Sequence, residues 1–272
     1  VLEQDDFMHR MQDTSGIERC VPAIVCIMNE PSLQQALRIA NRFQIAIYPI
    51  STGNNWGYGT ALPPQTNSVI FDLSKMAQIV DFDAELGVVT VEPGVTQGML
   101  AQFLENGGFP YLVPVTGAGP HCSLLANALE RGYGVTPHTD HFSAVTNLKA
   151  VLPDGSLYRT ALHEAGGEEL ARLFKWGIGP YSAGLFTQSG FGVVTQVSIV
   201  LARRPQCVKT CIFSIRDDAL LEPAVLAIRE ILSKVPGVIG GLNIMNQHRV
   251  LSMSAPYPQE SLSATERLIT PE

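Results

Sequence analysis

The stretch "TPHTDHF" sets His138, Asp140 and His141 close together. Two imidazoles beside a carboxylate form an acid–base cluster that exchanges a proton near neutral pH. Each member also has a structural reading: Asp140 beside a turn acts as a cap, and His141 as a satisfied donor. A second stretch, "ISTGNNWGYGT" from Ile50 to Thr60, follows the apolar run "IAIYPI". Small residues after a strand let main chain approach a bulky anion without Cβ clashes, and successive N–H groups form an anion-binding nest. Ser51, Thr52 and Asn54 or Asn55 add side-chain donors. Trp56 is expected to cover this loop.

The glycine spacing in that loop is neither G-x-G-x-x-G nor a Gly-Lys-Ser/Thr sequence, so dinucleotide and P-loop fingerprints do not apply. Three other glycine-punctuated segments recur along the chain: "VEPGVT", "TGAGPHCSLLANALERGYGVTPHTDH" and "FTQSGFGVVT". All stand beside apolar strand-like runs. Distant segments of this kind imply one extended ligand held largely by backbone.

The elements that must position them alternate. "PSLQQALRIANRF" predicts a helix with Pro31 near its start and Leu33, Ala36, Leu37, Ala40 and Phe43 on one face. "IAIYPI", "SVIFDL" (68–73) and "GVVTVEPGV" predict strands, the last broken at Pro93-Gly94. "TQGMLAQFLENGG" predicts a helix closed by Gly107 or Gly108. "AVTNLKAVLPDGSLYRT" predicts a hairpin turning at Pro153-Asp154-Gly155. "ELARLFKW" predicts a short helix and "VVTQVSIVLA" a strand. After Arg203-Arg204-Pro205 the texture changes: "DDALLEPAVLAIREILSKV" predicts an amphipathic helix between two apolar strand-like runs, the start of a second unit. The fold class is α+β, divided at 1–205 and 206–272.

The bulk composition narrows the function. The 272 residues are 46% hydrophobic and 16% charged, a globular balance. A net charge of −7 argues against a phosphate-backbone binder and so against nucleic acid as partner. No apolar run reaches the roughly 18 residues of a membrane span. The N-terminal "VLEQDDFMHR" has neither an initiating Met nor a signal-peptide pattern, which suggests processing or excision from a longer chain. The five cysteines, Cys20, Cys26, Cys122, Cys207 and Cys211, are odd in number and sparse. Without a Cys or His pair nearby, Cys207 and Cys211 do not predict zinc, and no metal is expected. All five read as reduced and mostly buried, which favours a reducing compartment such as the cytoplasm.

Six motifs occur in order between Val21 and Pro205: "PISTGNNWGYG", "VEPGVT", "LLANALERGYGVTPHTDHF", "VLPDGSLYRT", "FKWGIGPYSAGLFTQSGFGVVT" and "LARRP". Together they resemble the FAD-binding domain of the vanillyl-alcohol oxidase and p-cresol methylhydroxylase flavoprotein family. The resemblance implies a two-subdomain α+β fold binding FAD, followed by the start of a truncated or reduced substrate (cap) domain. It implies a phenol or alcohol as substrate, with hydride transfer to flavin N5. Cytochrome or oxygen would take the electrons, and the chain would form a homo-oligomer or join a further chain.

Carried over by position, Ile50, Ser51, Thr52, Gly53, Asn54, Asn55 and Gly59 match the loop around the FAD diphosphate. Pro93, Gly94 and Val95 match a segment lining the cofactor. Gly117, Gly119, Ser123, Asn127, Glu130, Gly132 and Gly134 match the stretch passing the diphosphate, ribityl chain and isoalloxazine. Gly190, Gly192, Val193 and Val194 match the strand edge at the adenine end. Tyr58 matches a tyrosine that binds the substrate phenolate, although a packed aromatic satisfies the same pattern. His138 stands where phenol-oxidising relatives tend to have tyrosine. Glu130 and Arg131 read as an ion pair holding the loop, and His121 and Cys122 as weak candidates for a covalent flavin link. Two further readings remain: a 2-hydroxy-acid dehydrogenase on the same fold, and a flavin-binding remnant without a complete catalytic domain.

Overall fold

The computed structural model describes residues 19–54, 61–134 and 140–252. Internal contacts divide the chain into two compact units, Val1–Glu222 and Pro223–Glu272.

In the first unit, β1 (Ile24–Cys26), β2 (Ile47–Ile50) and β3 (Val69–Asp72) form a parallel sheet in the order β1-β3-β2. Between β1 and β2 runs α1 (Glu30–Arg42). The helix starts where Asn29 and Ser32 exchange side-chain-to-backbone hydrogen bonds, 2.9 and 3.2 Å, with Pro31 in the first turn. This is a capping box with serine in place of the usual acid or amide. Leu33, Leu37 and Ala40 are buried as the periodicity predicts; Phe43, expected on that face, is 64% exposed. Phe43 falls at the C-cap, where the chain leaves the helical path and the 3.6-residue register no longer applies. Parallel pairing of β2 with β3 forces a long crossover, so the chain leaving Ile50 must travel back along the sheet. The glycine-rich loop opens that connection and is described as far as Asn54.

A second sheet, antiparallel and five-stranded, has the order β4-β5-β8-β6-β7. Its strands are β4 (Ile79–Asp83), β5 (Val88–Val91), β6 (Val145–Val151), β7 (Leu157–Arg159) and β8 (Val193–Val200). β6 and β7 form the expected hairpin. α2 (Gln97–Asn106) begins at Thr96, whose Oγ1 accepts from Met99 N at 3.2 Å, and is closed by Gly107 and by Gly108 at φ +64°. α3 (Leu124–Leu129) follows Ser123. Leu100, Leu104, Leu124 and Ala128 from these helices share one apolar core with Val89, Leu148 and Val197 of the sheet. Elsewhere α4 (Ala161–Gly166) precedes α5 (Glu168–Leu173), which rests on β6 and β5. Glu168 pairs with Lys149 at 2.6 Å, and Arg172 pairs with Asp81 and Asp83.

α1 joins the two sheets. Val151 of β6 and Val193 of β8 pack among Leu33, Leu37 and Phe71. Gln34 and Arg38 both donate to Gly155 O in the hairpin turn, at 2.8 and 3.2 Å. Thr195 donates to the Glu30 carboxylate at 3.1 Å. The "LARRP" end is held similarly: Arg203 lies 5.5 Å over the Tyr111 ring and donates to Glu85 O at 3.1 Å.

Two expectations need correction. The apolar runs flanking the helix after Pro205 form no strands: residues 206–216 have no regular structure, with Ile212 91% and Phe213 86% exposed. A strand needs a hydrogen-bonding neighbour, and among the described residues none lies beside them. The cysteines are free but not mostly buried; Cys122 is buried, Cys26 intermediate, and Cys20, Cys207 and Cys211 are exposed. The three exposed ones fall on irregular segments outside the two sheets.

The second unit continues α6 (Leu221–Lys234), followed by α7 (Gln247–Ser252). A Glu230–Lys234 pair one turn apart, 2.5 Å, supports α6. Among the described residues no helix is long and apolar enough to cross a membrane.

Candidate functional site

The loop leaving β2 sits at the carboxyl end of a parallel strand, the side on which open parallel sheets present ligands. Ser51, Thr52, Gly53 and Asn54 are described; Asn55, Trp56, Tyr58 and Gly59 lie outside the described residues, as does His138. Gly53 has φ +68°, a left-handed conformation that favours glycine. Asn54 Nδ2 donates to Thr52 O at 3.2 Å and reaches His121 O at 3.4 Å. That contact brings the loop to the "TGAGPHCS" segment.

Residues 116–119 are held from beneath by Gln97, which is buried. Its amide donates to Thr116 Oγ1 and accepts from Thr116 N, both at 3.1 Å, and Ala118 N donates to Thr116 Oγ1 at 3.2 Å. Gly119 has φ +90° with open space where a Cβ would stand. The amides of Thr52, Gly53, Gly117 and Gly119 donate no hydrogen bond within the described residues. Four such donors, in two turns joined by the Asn54–His121 contact, are of the kind from which an anion-binding nest is built.

Pro93, Gly94 and Val95 lie one layer deeper, all buried. A Cβ on Gly94 would overlap the carbonyl oxygens of Ser74 and Met76, so this glycine is required by packing of main chain on main chain. Ser123 Oγ donates to Pro93 O at 2.6 Å and accepts from Ala126 N at 3.1 Å, and Leu124 N donates to Val95 O at 3.1 Å. Ser123 therefore both caps α3 and joins it to the buried segment.

At the other end of α3, the "ERGYG" turn folds over the helix. Gly132 N donates to Asn127 O at 2.7 Å, and His141 N donates to Gly132 O at 3.2 Å. Asn127 Nδ2 meets His141 Nδ1 in a short contact. A Cβ on Gly132 would overlap the Asn127 amide, and one on Gly134 would overlap the His141 ring and Val115 O. His141 is 2% exposed, a structural group, and Asp140 Oδ1 caps the turn by accepting from Phe142 N at 3.1 Å.

The anticipated Glu130–Arg131 ion pair is absent. Arg131 instead donates to Thr187 Oγ1, 3.0 Å from Nη2, because its backbone sits at φ +54° and turns the side chain towards the 187–190 segment. Gln188 completes that junction, donating from N to Leu129 O and from Nε2 to Glu130 O, both at 3.1 Å. Glu130 as a whole residue is exposed, yet desolvation holds its carboxyl above the ordinary carboxylate range. Burial raises the Tyr48 phenol, and the nearby Glu130 charge raises it further.

The structure thus gathers 51–54, 93–95, 117–123 and 127–134 around one region. Ile50 contributes by packing against the small core of the parallel sheet, and its carbonyl accepts from Leu73 N at 2.9 Å. Gly190 is open and exposed; a Cβ on Gly192 would press on Phe186 and Val151 O, and Val193 and Val194 are core residues of β8. Cys122 is buried with its thiol directed to Ser123 O, while His121 is exposed. Sequence reasoning missed Gln97, Thr116, Gln188 and Tyr48, whose partners are far along the chain or on a different element.

Residues 21–161 match the FAD binding domain family. The chain is 34% identical over 247 residues to the 1'-carboxy-chondrochloren decarboxylase of Chondromyces crocatus, covering 90% of this chain and 45% of that protein. It is also 34% identical over 207 residues to the 4-cresol dehydrogenase [hydroxylating] flavoprotein subunit of Pseudomonas putida, covering 76% of this chain and 40% of that protein. The crystal structure of p-cresol methylhydroxylase with substrate bound superposes with a TM-score of 0.77 at 30% identity, covering 85% of this chain and 45% of that one. The chain spans less than half the length of these relatives. The four amides without an acceptor among the described residues, and the glycines beside them, suit a dinucleotide diphosphate. The chain belongs to the FAD-binding domain family, with the p-cresol methylhydroxylase-type fold, and FAD is its cofactor.

Proposed function

We propose that the protein is an FAD-linked oxidoreductase that oxidises a 4-alkylphenol or an aromatic alcohol. The observation that supports this most is the pair of turns joined by Asn54 and His121, 51–54 and 116–119, in which the N–H groups of Thr52, Gly53, Gly117 and Gly119 find no acceptor among the described residues. When bound, FAD supplies the hydride acceptor at N5; the chain supplies binding, orientation and electrostatics. Thr52, Gly53, Gly117 and Gly119 would donate to the diphosphate. Asn127, Gly132 and Gly134 would hold the main chain against the remainder of the cofactor. Tyr58 would donate to the substrate phenolate, which lowers the barrier because the electron pair left by the departing hydride spreads onto oxygen. His138 would line the same site. Residues 206–272 would form part of the substrate-side unit, and cytochrome or oxygen would accept the electrons. Assembly would be with a second copy or a further chain.

The test is an anaerobic absorbance titration of the flavin-loaded protein. Bleaching of the flavin bands by 4-alkylphenols or aromatic alcohols, and not by D-2-hydroxy acids, is expected. Bleaching by hydroxy acids alone would replace the phenol with a hydroxy-acid substrate, and no bleaching by any of them would leave a flavin-binding unit without turnover.

A further inference from the structure

Lys175 belongs to the segment "FKWGIGPY", and nothing in the site described above uses its charge. Its ammonium donates to Phe142 O at 3.1 Å and Ser143 O at 3.0 Å. Three rings surround it, those of Phe142, Trp176 and Tyr181, at 5.2, 5.8 and 5.6 Å from Nζ to centroid. Desolvation lowers its pKa, partly offset by the Asp140 carboxylate. A lysine held in this way is not a solvated surface charge.

The carbonyls it binds belong to the short 3-10 turn His141–Ala144. Asp140 accepts from the Phe142 amide of that turn, and Lys175 donates to its Phe142 and Ser143 carbonyls, so the turn is held from both sides. His141 lies between them. Its ring meets the Asn127 amide, its N–H binds Gly132 O, and its edge abuts Gly134. A continuous set of contacts therefore runs from Lys175 through His141 to the part of the cradle where the chain has no side-chain bulk.

We propose that Lys175 is a positioning residue for FAD, acting through the 141–144 turn and His141 on Asn127, Gly132 and Gly134. This rests on the assignment of FAD to the site. Trp176, 72% exposed, closes the outer side of the same cage.

The experiment is an FAD titration of wild type, Lys175→Met, Lys175→Arg, Asn127→Ala and the Lys175→Met/Asn127→Ala double variant, followed by flavin fluorescence. Lys175→Met keeps the apolar stem under the rings and is expected to weaken FAD binding about tenfold, the scale of one charge-assisted hydrogen bond. Lys175→Arg is expected to restore most of that loss. The double variant should bind no more than about threefold more weakly than the weaker single variant, because the two residues act along one route. Unchanged FAD affinity in Lys175→Met, or losses that multiply in the double variant, would overturn the inference while leaving the cofactor assignment standing. A wild-type protein that binds no FAD would overturn both. Hydrogen exchange on the wild type covers the case in which Lys175→Met does not fold: FAD should slow exchange in peptides spanning 141–146 and 174–182. No change in 174–182 on FAD binding would refute the positioning role.

Discussion

The side-chain amide of Asn127 occupies the space that a Cβ at position 132 would need, so Gly132 is glycine because of a residue one helical turn and a bend away. The same turn is closed by Gly132 N on Asn127 O at 2.7 Å. The glycines of "RGYG" are thus set by close approach within the protein, separately from anything a ligand would demand there. This relationship separates two effects that mutations can tell apart.

Gly132→Ala should destabilise the fold by about 1–3 kcal/mol, the usual range for overpacking, and should weaken FAD binding as Asn127 is displaced. Urea unfolding and FAD titration on the same preparations check both.

Gly94→Ala places a Cβ against the carbonyl oxygens of Ser74 and Met76, which cannot swing aside as a side chain would. The expected loss is again about 1–3 kcal/mol. Since Gly94 is buried beneath the cradle, the FAD affinity of the folded fraction should fall less than in Gly132→Ala. A larger fall in affinity at Gly94 than at Gly132 would reverse the assignment of these two positions.

Gln97→Ala removes both hydrogen bonds to Thr116 and leaves the Thr116 amide without its acceptor. A loss of about 1–3 kcal/mol is expected from the unpaired groups. The turn bearing Gly117 and Gly119 should loosen, visible as faster hydrogen exchange there and weaker FAD binding.

Glu130 gives a pH signature. Its folded-state pKa is raised above 4.5 by desolvation, so folding binds the proton more tightly than the unfolded chain does. Its contribution to stability is fully present below about pH 4.5 and is lost as pH rises through the folded-state value. Glu130→Gln should remove that slope, and its stability relative to wild type should increase with pH over this window. Parallel denaturation curves for the two proteins across the acid range measure it.

Tyr181 carries a buried hydroxyl that finds no hydrogen-bond partner among the described residues, and desolvation pushes its pKa up to about 12. Tyr181→Phe removes the unmet donor and keeps the ring contact with Trp176 at 5.0 Å. Thermal stability should be unchanged or slightly raised. A marked fall would show that the hydroxyl makes a contact of value.

Much of this fold was legible in the chain. α1, α2, the β6–β7 hairpin and β8 follow from apolar periodicity and turn residues. β4 was missed because Asp81 and Asp83 break its apolar run, and only the fold reveals that Arg172 pairs with both. The loop after β2 reads from its small residues as irregular main chain, whereas the turn it meets depends on Gln97, read from sequence only as part of a helix. The pairing of Asn127 with His141 and the caging of Lys175 were invisible because their partners lie in other elements. The Glu130–Arg131 expectation failed because adjacent residues in a tight turn project in different directions.

The most direct measurement of the central claim is titration of the purified protein with FAD, followed by flavin fluorescence and confirmed by intact-mass analysis. Saturable binding of one FAD per chain, weakened by Gly132→Ala, is the predicted result. Absence of saturable binding, or binding that Gly132→Ala and Gln97→Ala both leave untouched, would contradict it.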